Sequence, residues 1–268
     1  MADTGRRRPR VVDLVAAVLV VVGTVALLVR AGTPPEAASS EHLRVLQVVS
    51  ADEIEVGGVR QRERLELAHV DTPADSTGAG TGCLADRSRQ TLTELLPVGS
   101  PVTVHELPGR RARPGLTPAT VQTSGGSPVE VELVAAGVAT PTQGVPPTEA
   151  EPLRAAADQA RSRNLGFYDP TEGCTVPGQV RQAITALDSA LEAATAAGSG
   201  PVDLDRLDAG LRTATALRAR LLSSAPRTSV EWRALSTDDV ALLTARLDAA
   251  LVAAQGVRLT LTAAATGS

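Results

Sequence analysis

Val11–Val29 is apolar apart from Asp13, Gly23 and Thr24, with Arg6-Arg7-Arg8-Pro9-Arg10 before it and Arg30 after it. As a helix rising about 1.5 Å per residue, this run spans about 28 Å, the depth of a bilayer's hydrocarbon core, with its backbone groups bonded within the segment. The basic cluster precedes the span, so the positive-inside bias puts residues 1–10 in the cytosol and everything after Arg30 outside. The expectation is a single-pass signal anchor over residues 11–30. A secreted chain cleaved near Ala37-Ala38-Ser39 is the alternative. Residues 31–41 (AGTPPEAASSE) are small, polar and proline-containing, the composition of a linker.

That compartment gives the cysteines a meaning. Cys83 and Cys174 are the only two in the chain, and an oxidising environment favours pairing them. The bridge would close a loop of about 90 residues and restrict the unfolded chain by on the order of 4 kcal/mol.

Beyond the linker come runs of strand length, β-branched and apolar or partly alternating. Leu43–Val49 and Asp52–Val56 are separated by a turn at Ser50-Ala51. Gly57-Gly58 turns the chain into a long third strand over Val59–Val70. Pro101–Leu107 and Pro118–Thr123 are the fourth and fifth strands. Helical spacing appears over Leu84–Leu96, over Val131–Ala136 ended by Gly137, and over Thr148–Asn164. Five short strands with inserted helices predict an α+β domain over residues 42–175 built on an OB-type barrel.

After Pro177 only helix remains. Val180, Ile184, Leu187, Leu191 and Ala194 share one face. A second stripe runs from Leu204 through Leu211 to Leu221, and a third from Val240 through Leu247 to Ala254, the last introduced by Ser236-Thr237-Asp238-Asp239 as an N-cap. Residues 176–268 are therefore expected to form a three-helix bundle, whose packing explains the stripes and which also offers a surface to an unknown protein partner.

Several segments occur together in an order that is similar to one family. They are Val48-Val49-Ser50-Ala51-Asp52-Glu53-Ile54, then Val70-Asp71-Thr72-Pro73, then Val131 through Ala139, then Glu151-Pro152-Leu153 through Arg161 and Gly166-Phe167-Tyr168. Over residues 43–170 the chain resembles the thermonuclease-like phosphodiesterases. The resemblance implies calcium held by Asp52, Asp71 and Thr72, two arginines on the phosphate and a glutamate handling the proton of the attacking water.

The chain departs from that pattern at every catalytic position. Glu66 stands where the family has its strand arginine, Ala74 where a glutamate follows the proline, and Leu116 where the second arginine lies in Pro114-Gly115-Leu116. A negative side chain repels the phosphate that the arginine would attract. Residues 42–175 carry 12 Arg against 17 Asp and Glu, a net of −5, which disfavours tight binding of nucleic acid. All 26 cations of the chain are arginine.

The expectation is a membrane-anchored, extracytoplasmic, thermonuclease-like protein without catalysis, acting in binding or scaffolding at the cell envelope. The alternative is an active calcium-dependent nuclease with a rearranged site, drawing on Arg64, Asp75 and Arg113. A third possibility gives the function to the bundle and leaves the barrel as a spacer. Arg60, Arg62 and Arg64 read as charges guarding a strand edge. His69, beside Val70, reads as a satisfied core histidine. No histidine has zinc-ligand spacing, and no phosphate-binding glycine loop or nucleophile elbow is present.

Overall fold

Strand β1 (Leu43–Val48) pairs antiparallel with β2 (Glu53–Gly57), and β2 with β3 (Arg62–Leu67). The inward positions are apolar: Val45, Ile54, Val56 and Leu65 are all fully buried. The computed structural model describes residues 43–58, 62–73, 82–196, 201–224 and 229–266. The proposed anchor, its flanking basic tail and linker, and residues Ala74 and Asp75 lie outside that set.

Strands β5 (Pro101–Glu106) and β6 (Thr117–Thr123) complete a closed barrel in the order β1-β2-β3-β6-β5. All its pairings are antiparallel except β3 with β6, which run parallel at Leu65↔Thr117. Helices α1 (Ala85–Leu95), α2 (Val129–Ala135) and α3 (Pro147–Ser162) pack on the barrel, contributing Leu92, Leu133 and Leu153 to its core. The α+β class and the five-stranded barrel are as the sequence predicts.

The third strand is shorter than expected. It ends at Leu67, because His69 takes a left-handed backbone (φ 68) that no continuing strand can hold. After this break, β4 (Val70–Asp71) leaves the barrel and pairs with β7 (Thr140–Pro141). Closure also removes the edge that Arg62 and Arg64 were expected to guard. Instead Arg62 faces Glu55 at 3.5 Å and Arg64 pairs with Glu53 across the β2–β3 hairpin.

The second half holds three long helices, α4 (Val176–Ala196), α5 (Pro201–Leu222) and α7 (Thr237–Thr266), with a short α6 (Val230–Arg233) between the last two. The predicted stripes are their inward faces: Leu187, Leu207 and Leu247 are completely buried in one cluster. By length and composition α7 could cross a membrane over Thr237–Ala264; Val240, Leu243, Leu247, Leu251 and Ala254 face the bundle, Leu242, Val252 and Leu259 are exposed, and Arg258 pairs with Asp208.

Barrel and bundle meet through α3 and the 3-10 turn Gly166–Tyr168. Leu153 and Ala156 belong to the barrel core, whereas Ala160, Phe167 and Tyr168 belong to the bundle core. The turn fits only because two glycines touch: a Cβ on Gly166 (φ 56) would lie 2.0 Å from the Gly137 carbonyl oxygen, which accepts the Phe167 N–H at 2.8 Å. Tyr168 donates its hydroxyl to the Ala234 carbonyl (3.0 Å), and Arg161 reaches Asp239 at the start of α7 (2.9 Å).

Cys83 and Cys174 form the expected disulfide, tying the entry of α1 to the entry of α4. The double variant Cys83→Ser/Cys174→Ser should lose on the order of 4 kcal/mol in denaturant unfolding. A loss below about 1 kcal/mol would show that the bridge does not restrain the unfolded chain.

Candidate functional site

Beside the turn between β1 and β2, three carboxylates are crowded together by the register of the hairpin. Glu53 and Glu66 are direct cross-strand partners, a placement that puts like charges on one face and costs stability unless cations intervene. Glu53 is 6% exposed. Asp52 stands next to it and accepts the Ser50 hydroxyl at 2.7 Å.

Arg113 answers this crowding. Its backbone N–H donates to Glu66 Oε2 (2.7 Å), its Nε to Glu66 Oε1 (3.2 Å), and an Nη to Asp52 Oδ1 (2.8 Å). The same guanidinium lies 3.9 Å from Glu53 Oε2, and Arg64 covers the other Glu53 oxygen. Partial burial by itself would lower the Arg113 pKa. The charges of Asp52 and Glu66 and the hydrogen bond to Asp52 outweigh it and hold the guanidinium above its usual value. The loop that delivers Arg113 is a tight turn, with Leu116 N–H bonded to the Arg113 carbonyl (3.1 Å) and Gly115 at φ 82.

Asp71, expected to share a cation with Asp52, is directed elsewhere. Its carboxylate pairs with Arg233 of α6 at 3.0 Å. Thr72 follows it, half-buried. Each acid of the expected calcium set thus meets a guanidinium, Asp52 that of Arg113 and Asp71 that of Arg233. Among the described residues, no group of three or more His, Cys, Asp or Glu side chains is arranged to hold a metal. Arg64 and Arg113 do converge, but on Glu53 rather than on a phosphate-sized opening. Leu116 offers no charge, and Glu66 is itself a ligand of Arg113.

A second constellation escaped the sequence reading. His69, Glu130 and Glu149 line a cavity of about 240 Å³ between the barrel and α3. The strand break at His69 turns its ring inward. Arg110 lies 3.3 Å from His69 Nδ1 and donates to the Thr142 hydroxyl at 3.0 Å. Because a guanidinium only donates, Nδ1 accepts and the ring proton sits on Nε2. Burial first, and the Arg110 charge second, lower the His69 pKa, with Glu149 opposing them, so the ring is neutral near pH 7. Nε2 lies 3.0 Å from Glu149 Oε2 but off the axis of a hydrogen bond, and it has no aligned partner. His69 is buried, as expected, and is bonded at Nδ1 but not at Nε2.

Glu130, in the first turn of α2, is 3% exposed and accepts the Val121 N–H at 2.9 Å. Burial pushes its pKa up to about 7, against the smaller effect of backbone N–H groups. No family model matches the chain, and no curated protein matches it at a significant level.

The buried carboxyl sets a pH dependence. Its folded pKa of about 7 stands above the ordinary 4.5, so the folded state holds an extra proton between those values and stability falls as pH rises through that window. Glu130→Gln keeps the acceptor for Val121 and never ionises. It should therefore leave stability at pH 4.5 nearly unchanged and raise it by about 2–3 kcal/mol at pH 8. A stability difference between the two proteins that is the same at both pH values, measured by urea unfolding, would contradict that assignment.

Proposed function

We propose that this chain is a membrane-anchored extracytoplasmic protein whose barrel is a thermonuclease-like OB fold that no longer cleaves phosphodiesters. Its role is binding or scaffolding at the cell envelope. The strand order β1-β2-β3-β6-β5 with its single parallel pair supports the fold reading.

The observation that carries the functional reading is the Arg113 fork across Asp52 and Glu66. Phosphodiester cleavage needs cationic groups free to meet charge growing on the phosphoryl oxygens. It also needs a hard cation among unclaimed oxygen ligands. Here the arginine is committed to the acids, and the second expected calcium ligand, Asp71, is committed to Arg233. Opening the site would mean breaking several charge-assisted hydrogen bonds and leaving Glu53 and Glu66 facing each other.

The full chain in detergent micelles, incubated with single-stranded DNA and millimolar calcium, should release no acid-soluble nucleotide above a blank. Calcium-dependent digestion that disappears in Asp71→Ala would overturn the proposal and establish the nuclease reading.

A further inference from the structure

We propose that the cavity bounded by His69, Glu130 and Glu149 binds a small primary amine, an ammonium carried on a short apolar body. This site is separate from the Arg113 cluster and stands whether or not the barrel cleaves phosphodiesters.

The cavity's chemistry selects the ligand class. Two carboxyl groups reach it, and among the described residues that line it none is basic apart from the imidazole of His69. An anion would meet repulsion from Glu149. Val131, Pro152 and Leu153 supply an apolar wall, so a bare inorganic cation would leave half of the surface unused. About 240 Å³ is the room of about eight water molecules at about 30 Å³ each, enough for an aliphatic chain with its charged head.

His69 supplies the independent sign that something is to be bound. It is 4% exposed, and Arg110 fixes its neutral tautomer so that Nε2–H is the donor. That donor lacks an aligned acceptor, a state that costs stability in a buried group and that an occupant relieves. An ammonium between Glu130 and Glu149 draws Glu149 into charge-assisted bonds. An ammonium has no acceptor of its own, so the relief comes through the same carboxylate: Glu149 Oε2, already 3.0 Å from Nε2, turns to accept from Nε2–H once the ammonium orients it.

The groups facing Glu130 are Thr120 and Gln122 from β6, His69 from the strand break and Glu149 from α3. Of these only Glu149 is a carboxyl group, with Arg110 lying behind the imidazole. Binding an ammonium displaces the proton of Glu130, so affinity rises between pH 6 and pH 8. The chain contains no lysine, so apart from an α-amino terminus another copy cannot supply the amine. The source is a free amine or a lysine of a different protein, and both present the same chemistry.

Calorimetric titration of the full chain in detergent at pH 8 tests this, with n-butylammonium, butyrate, 1-butanol and N-acetyl-lysine methylamide as probes. One or both of the amines should bind saturably, and butyrate and butanol at least about tenfold more weakly. Glu149→Gln and Glu130→Gln should each weaken amine binding about tenfold or more, the factor expected for one charge-assisted hydrogen bond. In Glu130→Gln the rise in affinity between pH 6 and pH 8 should vanish. Tighter binding of the lysine derivative identifies a protein side chain as the source, and tighter binding of n-butylammonium a free amine. Absence of saturable amine binding, equal binding of butanol, or indifference to both substitutions would overturn the proposal.

Discussion

Glu53 and Glu66 face each other across the β2–β3 hairpin with Asp52 alongside, and a barrel can close over such a group only if cations hold it together. Arg113 meets that need with a backbone N–H and two guanidinium nitrogens, while Arg64 takes the remaining oxygen of Glu53. The consequences reach beyond the charges. Residues between β5 and β6 are drawn over the hairpin, fixing the point at which β6 enters and runs parallel to β3. On the function proposed above, the same contact takes up the groups from which phosphodiester chemistry would be assembled.

The rest of the molecule repeats this pattern of acids met by arginines from distant segments. Asp71 meets Arg233, Asp239 meets Arg161, and Asp208 meets Arg258. With a single Phe, Tyr and Trp, the chain has few large rings with which to dock its parts. Tyr168 compensates at the junction: Arg161 lies 5.1 Å from its ring centre and its hydroxyl reaches Ala234. These partly exposed pairs each contribute little alone. Asp71–Arg233 and Asp239–Arg161 join the barrel side to the bundle, and Asp208–Arg258 joins two bundle helices.

Much of this was legible in the sequence because the signals were local and periodic. Apolar, partly alternating runs marked the strands without saying which positions face inward, and 3.6-residue spacing marked Leu187, Leu207 and Leu247. The expectation of an oxidising compartment, with only two cysteines in the chain, pointed to Cys83 with Cys174. What stayed hidden was non-local or conformational. Val59–Val70 reads as one strand, since nothing in its composition announces a left-handed backbone at His69, a residue without glycine's freedom. Arg233 could not be matched to Asp71 from spacing, nor Arg113 to Glu66 before the register was known. Taking Gly57-Gly58 as a two-residue turn would set Glu53 opposite Arg62; the register instead pairs Gly57 with Arg62 and brings Glu66 opposite Glu53, so the need for a cation was hidden as well. The cavity was missed because burial of His69 was taken to mean satisfaction, and because Glu130 sits in a short helix that hides its charge.

The central claim is that Arg113 and Glu66 are energetically joined rather than merely adjacent. A double-mutant cycle with Arg113→Gln and Glu66→Gln, read by urea unfolding at pH 7, measures that joining directly. The account predicts a coupling of about 1–2 kcal/mol, as expected for a partly exposed pair held by more than one charge-assisted hydrogen bond. Additivity within about 0.3 kcal/mol would contradict it, leaving the acids beside β1 and β2 free to serve another cation.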